Sequence, residues 1–167
     1  MKKNSTIFLV ILMTGLAAAQ QAAQKQISFV LSQDLIKRTA VDGKVVEEIV
    51  PTPKTVMPGD LLREEVSFKN VSDKPLSRLN VSVPVPSGTE FAGSATPQNE
   101  RWSLFFSADG GKSFAVNPQQ KVTVTENGKT VTKLVPAPTS AYTHVRWTVT
   151  NLKSDESLKL SFRVRVK

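Results

Sequence analysis

The sequence predicts an all-β protein, an antiparallel β-sandwich of two sheets. Three observations carry that prediction. Apolar and polar residues alternate with a period of two in segment after segment from Ile27 to the end of the chain. Turn formers such as Pro58-Gly59-Asp60, Asp42-Gly43 and Asn70 to Pro75 separate those segments at short intervals. Beyond the first nineteen residues no stretch carries a helical period. Strands with one apolar face each bury those faces by packing as two layers.

The N-terminal residues read as an address. Met1-Lys2-Lys3 is a positive start, Ile7 to Met13 a short apolar core, and Ala17-Ala18-Ala19 a small-residue cleavage pattern. Residues 1–19 are therefore expected to be a helical secretory signal peptide, with residues 20–167 as a single domain. A retained membrane anchor is the alternative, for which the run falls short of the roughly 20 apolar residues of a span. No transmembrane span is expected in the mature chain.

The chain has 167 residues, 22 basic against 14 acidic, one histidine and no cysteine. A domain of this size buries about 68–70% of its unfolded surface and needs no disulfide staple. Lack of cysteine excludes disulfides, thiolate nucleophiles, iron–sulfur sites and a lipid-anchor cysteine. In an exported protein it favours a bacterial envelope, periplasm or cell surface, over a small disulfide scaffold.

In order, Ile27, Phe29 and Leu31 read as the first strand, and Asp42-Gly43 as a type I′ hairpin turn whose outgoing arm is Lys44 to Val50. Leu62, Glu64, Val66 and Phe68 then share one face of a strand. Leu79, Val81, Val83 and Val85 share a face of the next, with Arg78, Asn80 and Ser82 opposite. Pro84 and Pro86 cannot donate to a ladder, so that strand ends there or runs along an edge. Trp102, Leu104 and Phe106 are expected inward and Phe105 outward. A second Asx-Gly hairpin at Asn127-Gly128 echoes the first, and each leaves through a Pro-x-Pro exit. Shared turn geometry accounts for that echo without a duplication.

Ser107-Ala-Asp109-Gly-Gly111-Lys-Ser113-Phe114 resembles an Asp-box, with serine in place of threonine and phenylalanine in place of tryptophan. The expected role is structural: the aspartate accepts hydrogen bonds from its own loop while the aromatic packs beneath. The closing strands, Tyr142 to Thr150 and Ser157 to Lys167, should turn Val145, Trp147, Val149, Leu158, Leu160, Phe162, Val164 and Val166 inward.

Pro58-Gly59-Asp60, Val66 to Asn70 and Pro84-Val-Pro86-Ser-Gly88-Thr-Glu-Phe91 together resemble the conserved repeat domain known as domain of unknown function eleven. Arg146-Trp147 and Leu158 to Phe162 are also similar to that family, and the likeness covers about residues 45–167. It implies an immunoglobulin-like module of bacterial surface and envelope proteins, here in one copy, and no shared activity. Glu64 stands where the family commonly carries tyrosine, and Pro84 near its aspartate. A carboxylate on the core face has to be paired or near the rim, because burying it alone is costly.

Catalytic and metal chemistry lack their usual signatures. His144 is the lone histidine, so zinc sites with two or three histidines are excluded. Glu47-Glu48 and Glu64-Glu65 each point to opposite faces, so neither is an acid–base pair. No enzyme, cofactor or metal is expected. The expected function is an exported, non-enzymatic interaction subunit of a cell-envelope assembly, with envelope or surface proteins as partners.

The alternative is binding of an anionic envelope glycan or lipid. If the last two strands pair, His144, Arg146, Lys159, Arg163, Arg165 and Lys167 form one basic stripe. Such a row equally serves to solvate a sheet and protect its edge. Nucleic acid is not expected, since Trp147 and Phe162 point inward and leave no stacking platform.

Overall fold

The computed structural model describes residues 26–126 and 128–167. The signal-peptide reading of residues 1–19 and the turn residue Asn127 fall outside them. The described residues are all-β: β1 Ile27–Val41, β2 Lys44–Pro51, β3 Leu61–Asn70, β4 Leu76–Pro84, β5 Thr89–Phe91, β6 Trp102–Ser107, β7 Gln119–Glu126, β8 Lys129–Pro136, β9 His144–Leu152 and β10 Ser157–Val166. Among the described residues a single 3-10 turn, Thr139–Ala141, precedes β9. All pairings are antiparallel.

A five-stranded sheet runs β2-β1-β3-β10-β5, a three-stranded sheet β4-β9-β6, and β7-β8 forms its own ribbon. Leu62, Val66, Phe68, Leu160, Phe162 and Val164 of the larger sheet share one buried cluster with Val81, Val83, Val145, Trp147 and Val149 of the smaller. These are the expected inward residues, and the alternation that names them is what lets two sheets meet face to face. Phe91, Phe106 and Tyr142 close one end, with ring centroids 4.8 to 5.6 Å apart.

The last two strands do not pair, so the condition for a single basic stripe is not met. β9 lies in the smaller sheet and β10 in the larger, so the Lys153 to Glu156 turn carries the chain across the core. In the immunoglobulin arrangement the last two strands are neighbours; here β10 pairs with β3 and β5 instead. Each strand has one polar and one large apolar face, and stacking satisfies that pattern as well as lateral pairing does. Alternation specifies faces, not neighbours.

The β3–β4 connection makes the same crossing, and Asn70 ties the two arches together. Its side chain is fully buried. Nδ2 donates to the carbonyls of Lys74 (2.7 Å), Leu152 (3.1 Å) and Lys153 (3.1 Å). Oδ1 accepts from the Ser72 N–H (3.0 Å) and hydroxyl (2.7 Å). The Asn70 backbone joins as well, accepting from the Asp155 N–H and donating to the Glu156 carbonyl. Glu156 caps its own turn through the Lys153 N–H (2.9 Å) and pairs with Arg101 (2.6 Å). Those bonds, the Lys153 N–H first, hold its carboxyl below the usual range.

The smaller sheet does not cover all of the larger one. Phe29 lies opposite Phe68 and Leu31 opposite Val66, on the same face. Yet Phe68 is buried, whereas Phe29 is 44% exposed and Leu31 48%. The first strand forms as its alternation predicts, but the cover over its Phe29 and Leu31 ends between β3 and β1. Glu64 sits at that boundary. It faces inward at 7% exposure and accepts from Gln33 Nε2 of β1 at 2.5 Å. Burial, chiefly, and the nearby Asp34 push its carboxyl up, against the pull of the Gln33 bond.

Candidate interaction surfaces

The turn chemistry of Asp42-Gly43 builds the first projecting element. Both residues have positive φ, 50° and 73°, as a type I′ turn requires, and the two strands zip from Val41↔Lys44 to Asp34↔Pro51. β3 pairs with β1 only up to Ile36, so the hairpin runs past the sheet as a two-stranded arm. Successive valines on such an arm point to opposite faces, and no core reaches either one. Val45 is 69% exposed, and Val41, Val46 and Ile49 are exposed with it. The sequence carried that signal: Val45-Val46 breaks alternation beside a tight turn, so one of the two had to face outward. Val45 and Ile49 lie on one face with Glu47 between them, Val41 and Val46 on the other, and exposed apolar area gathered on one projecting element is a candidate protein contact.

Charge holds the arm down. Arg163 of β10 donates to both oxygens of Glu47 of β2, at 2.9 and 2.6 Å, and Arg38 donates to the same carboxylate at 3.0 Å. In a flat sheet β10 and β2 lie three strand spacings apart, roughly 14 Å, so the twisted arm curls over the outer face to make this contact. The guanidinium of Arg163, then that of Arg38, holds the Glu47 carboxyl below its usual range. Beneath the arm, Arg63 bonds Asp34 at 2.6 and 3.1 Å, and Asp34 is buried. Lys159 pairs with Glu65 at 3.3 Å.

The basic stripe is accordingly divided. Lys159, Arg163 and Arg165 face outward on the larger sheet with Lys167 just past its last strand, and His144 and Arg146 lie on the outer face of the smaller. The two groups are on opposite sides of the protein because their strands stack across the core rather than pair. Lys159 and Arg163 are neutralised by carboxylates, whereas Arg146, Arg165 and Lys167 have no carboxylate within salt-bridge distance among the described residues.

Arg146 is fixed by other means. Its guanidinium lies 3.4 Å above the Phe114 ring and its Nε donates to Ser82 Oγ at 2.7 Å. A cation over an aromatic face is attracted by the ring quadrupole. His144 meets the edge of the same ring, centroids 6.3 Å apart, with Gly111 against its imidazole.

Phe114 is placed there by the loop that resembles an Asp-box. Asp109 Oδ1 accepts from the N–H groups of Lys112 (3.1 Å) and Ser113 (3.0 Å) and the Ser107 hydroxyl (2.7 Å), while Oδ2 accepts from the Ser113 hydroxyl (2.6 Å). These bonds, those from Ser113 first, hold the Asp109 carboxyl far below its usual range. Phe106 and Ala115 close the loop with reciprocal backbone bonds of 2.8 and 2.9 Å. The expected structural hairpin is what these bonds build, and its aromatic packs against Arg146 on the outer face.

No helix among the described residues is long and apolar enough to cross a membrane. Compared with family models, curated proteins and solved structures, the chain gives no significant match.

Proposed function

We propose that the protein is an exported, non-enzymatic β-sandwich that acts as an interaction subunit of a bacterial cell-envelope assembly. The observation that carries this reading is the β1–β2 arm, which holds Val41, Val45, Val46 and Ile49 exposed on a projecting ribbon pinned by Glu47–Arg163. Two-stranded ribbons in water are marginal by themselves, and a partner that covers those valines supplies the burial the arm lacks. The envelope setting rests on the signal-like residues 1–19 and on the motif likeness to the repeat domain.

Affinity capture of the full chain from fractionated envelopes tests the proposal. A protein companion should co-purify, and a Val45→Lys, Val46→Lys variant should lose it while remaining folded. A companion that stays bound to the variant sinks the assignment to the arm. Recovery of glycan or lipid without protein supports the alternative, binding of an anionic ligand, for which the ring-stacked and carboxylate-free Arg146 is the best-placed cation. Arg146→Gln should then abolish retention.

A further inference from the structure

The edges of the sandwich differ in how they are protected. β5 has three residues. β4 is kinked by Arg78 at φ 53° and ended by Pro84. β6 has its Phe106 end occupied by Ala115. β2 carries Lys44, Glu47 and Glu48 and ends in proline. These are the devices by which edge strands avoid pairing with strangers. The first half of β1 has none of them. Ile27-Ser-Phe-Val-Leu-Ser-Gln33 contains no charge, proline or glycine. One side of it is paired with β3, and β2 reaches only as far as Asp34 on the other. Among the described residues nothing pairs with that second side, and Val30 is 59% exposed there.

We infer that this edge pairs with the same edge of a second copy of the chain, antiparallel about a two-fold axis at Val30. The segment is self-complementary in that register. Ile27 meets the partner's Gln33, Ser28 meets the partner's Ser32, Phe29 meets the partner's Leu31, and Val30 meets the partner's Val30. Phe29 and Leu31 lie on the face the smaller sheet leaves uncovered, so the two copies join their apolar residues into one patch. An isologous contact of this kind closes on itself and does not propagate into fibres.

Two further features suit a second copy and fix the register. The chain carries net charge +8, so two copies repel overall, and the uncharged segment Ile27 to Gln33 adds no like-charge pair at the seam itself. Pro51 opposite Asp34 fills the lane beside β1 on each copy, leaving the same seven positions free on both. The two-fold register about Val30 is the one that pairs all of them. The surface is distinct from the tip of the arm, and the pairing stands whether or not that tip binds an envelope companion.

Sedimentation of the purified full chain tests it. The mass should rise with concentration to twice the chain mass, and Val30→Lys, which sets two lysines face to face across the axis, should return it to the monomer. Because the chain has no cysteine, Val30→Cys gives a second readout that does not depend on losing the interface. Directly opposed residues of an antiparallel pair lie about 4.5–5.5 Å apart at Cα, within disulfide range. Diamide should therefore convert Val30→Cys to a covalent dimer and leave a Val45→Cys control monomeric. A parent chain monomeric at every concentration, or equal cross-linking at both cysteines, overturns the inference.

Discussion

The end of the sandwich where the chain crosses between sheets and the arm at its far side are built on opposite terms. At the crossings, Asn70 is fully buried with every polar atom of its side chain bonded, and the backbones of both arches close around it. Along the arm, ladder bonds and one three-membered ion cluster hold a ribbon whose valines face water. The first region is complete within one chain. The second is ordered without being buried, and that combination is what a contact surface requires: a shape settled in advance, with apolar area still to be covered.

The largest expected effect falls at the crossings. Asn70→Ala leaves the Leu152 and Lys153 carbonyls without their donor inside the structure and frees both turns, at about 3 kcal/mol or more, since each buried group left unpaired costs about 1–3 kcal/mol. Denaturant midpoints measure this, and a loss below about 1 kcal/mol breaks the description of Asn70 as the tie between the arches.

Glu64 tests the boundary between the two regions. Its folded-state pKa is raised, so the native state binds the proton more tightly than the unfolded chain does. Its contribution to stability is full below the unfolded value of about 4.3 and is lost as pH rises through the folded value. Glu64→Gln should thus stabilise the protein at about pH 7.5 and change little near pH 4. Thermal midpoints at the two pH values read the difference, and an equal shift at both contradicts the assignment of burial as the dominant cause.

A smaller, local effect is expected at Asp109. Asp109→Ala should speed amide exchange at Lys112 and Ser113 and loosen the Phe114–Arg146 stack, with the global unfolding midpoint nearly unchanged. Broad loss of protection in β9 would show instead that the loop supports the core. The smallest effect on stability belongs to the arm: Val45→Lys should stay within about 0.5 kcal/mol of the parent, as exposed substitutions do.

Much of the fold was legible in the residues. Period-two alternation marked the inward faces of β3, β9 and β10, and Asp42-Gly43 marked its turn, because both depend on local geometry alone. What alternation could not supply was adjacency. Trp147 and Phe162 read the same whether their strands lie side by side or one over the other, and the basic stripe divided for that reason. Phe29 and Leu31 have the pattern of core residues; their exposure follows from the smaller sheet having three strands to the larger one's five, a property of the whole chain. Asn70 was visible as a turn former in a family-like motif, but its three carbonyl partners come from Lys74 and from Leu152 and Lys153, about eighty residues downstream. The arm's valines were the part of the candidate surface that broke the pattern.

Hydrogen exchange on the chain alone and on the chain recovered with its envelope companions tests the central claim most directly. New protection should appear at residues 41–46, with the Asn70 arches equally protected in both samples. Protection gained instead around Arg146 on the outer face of the smaller sheet, with the arm unchanged, would contradict the account and place the contact on the basic residues.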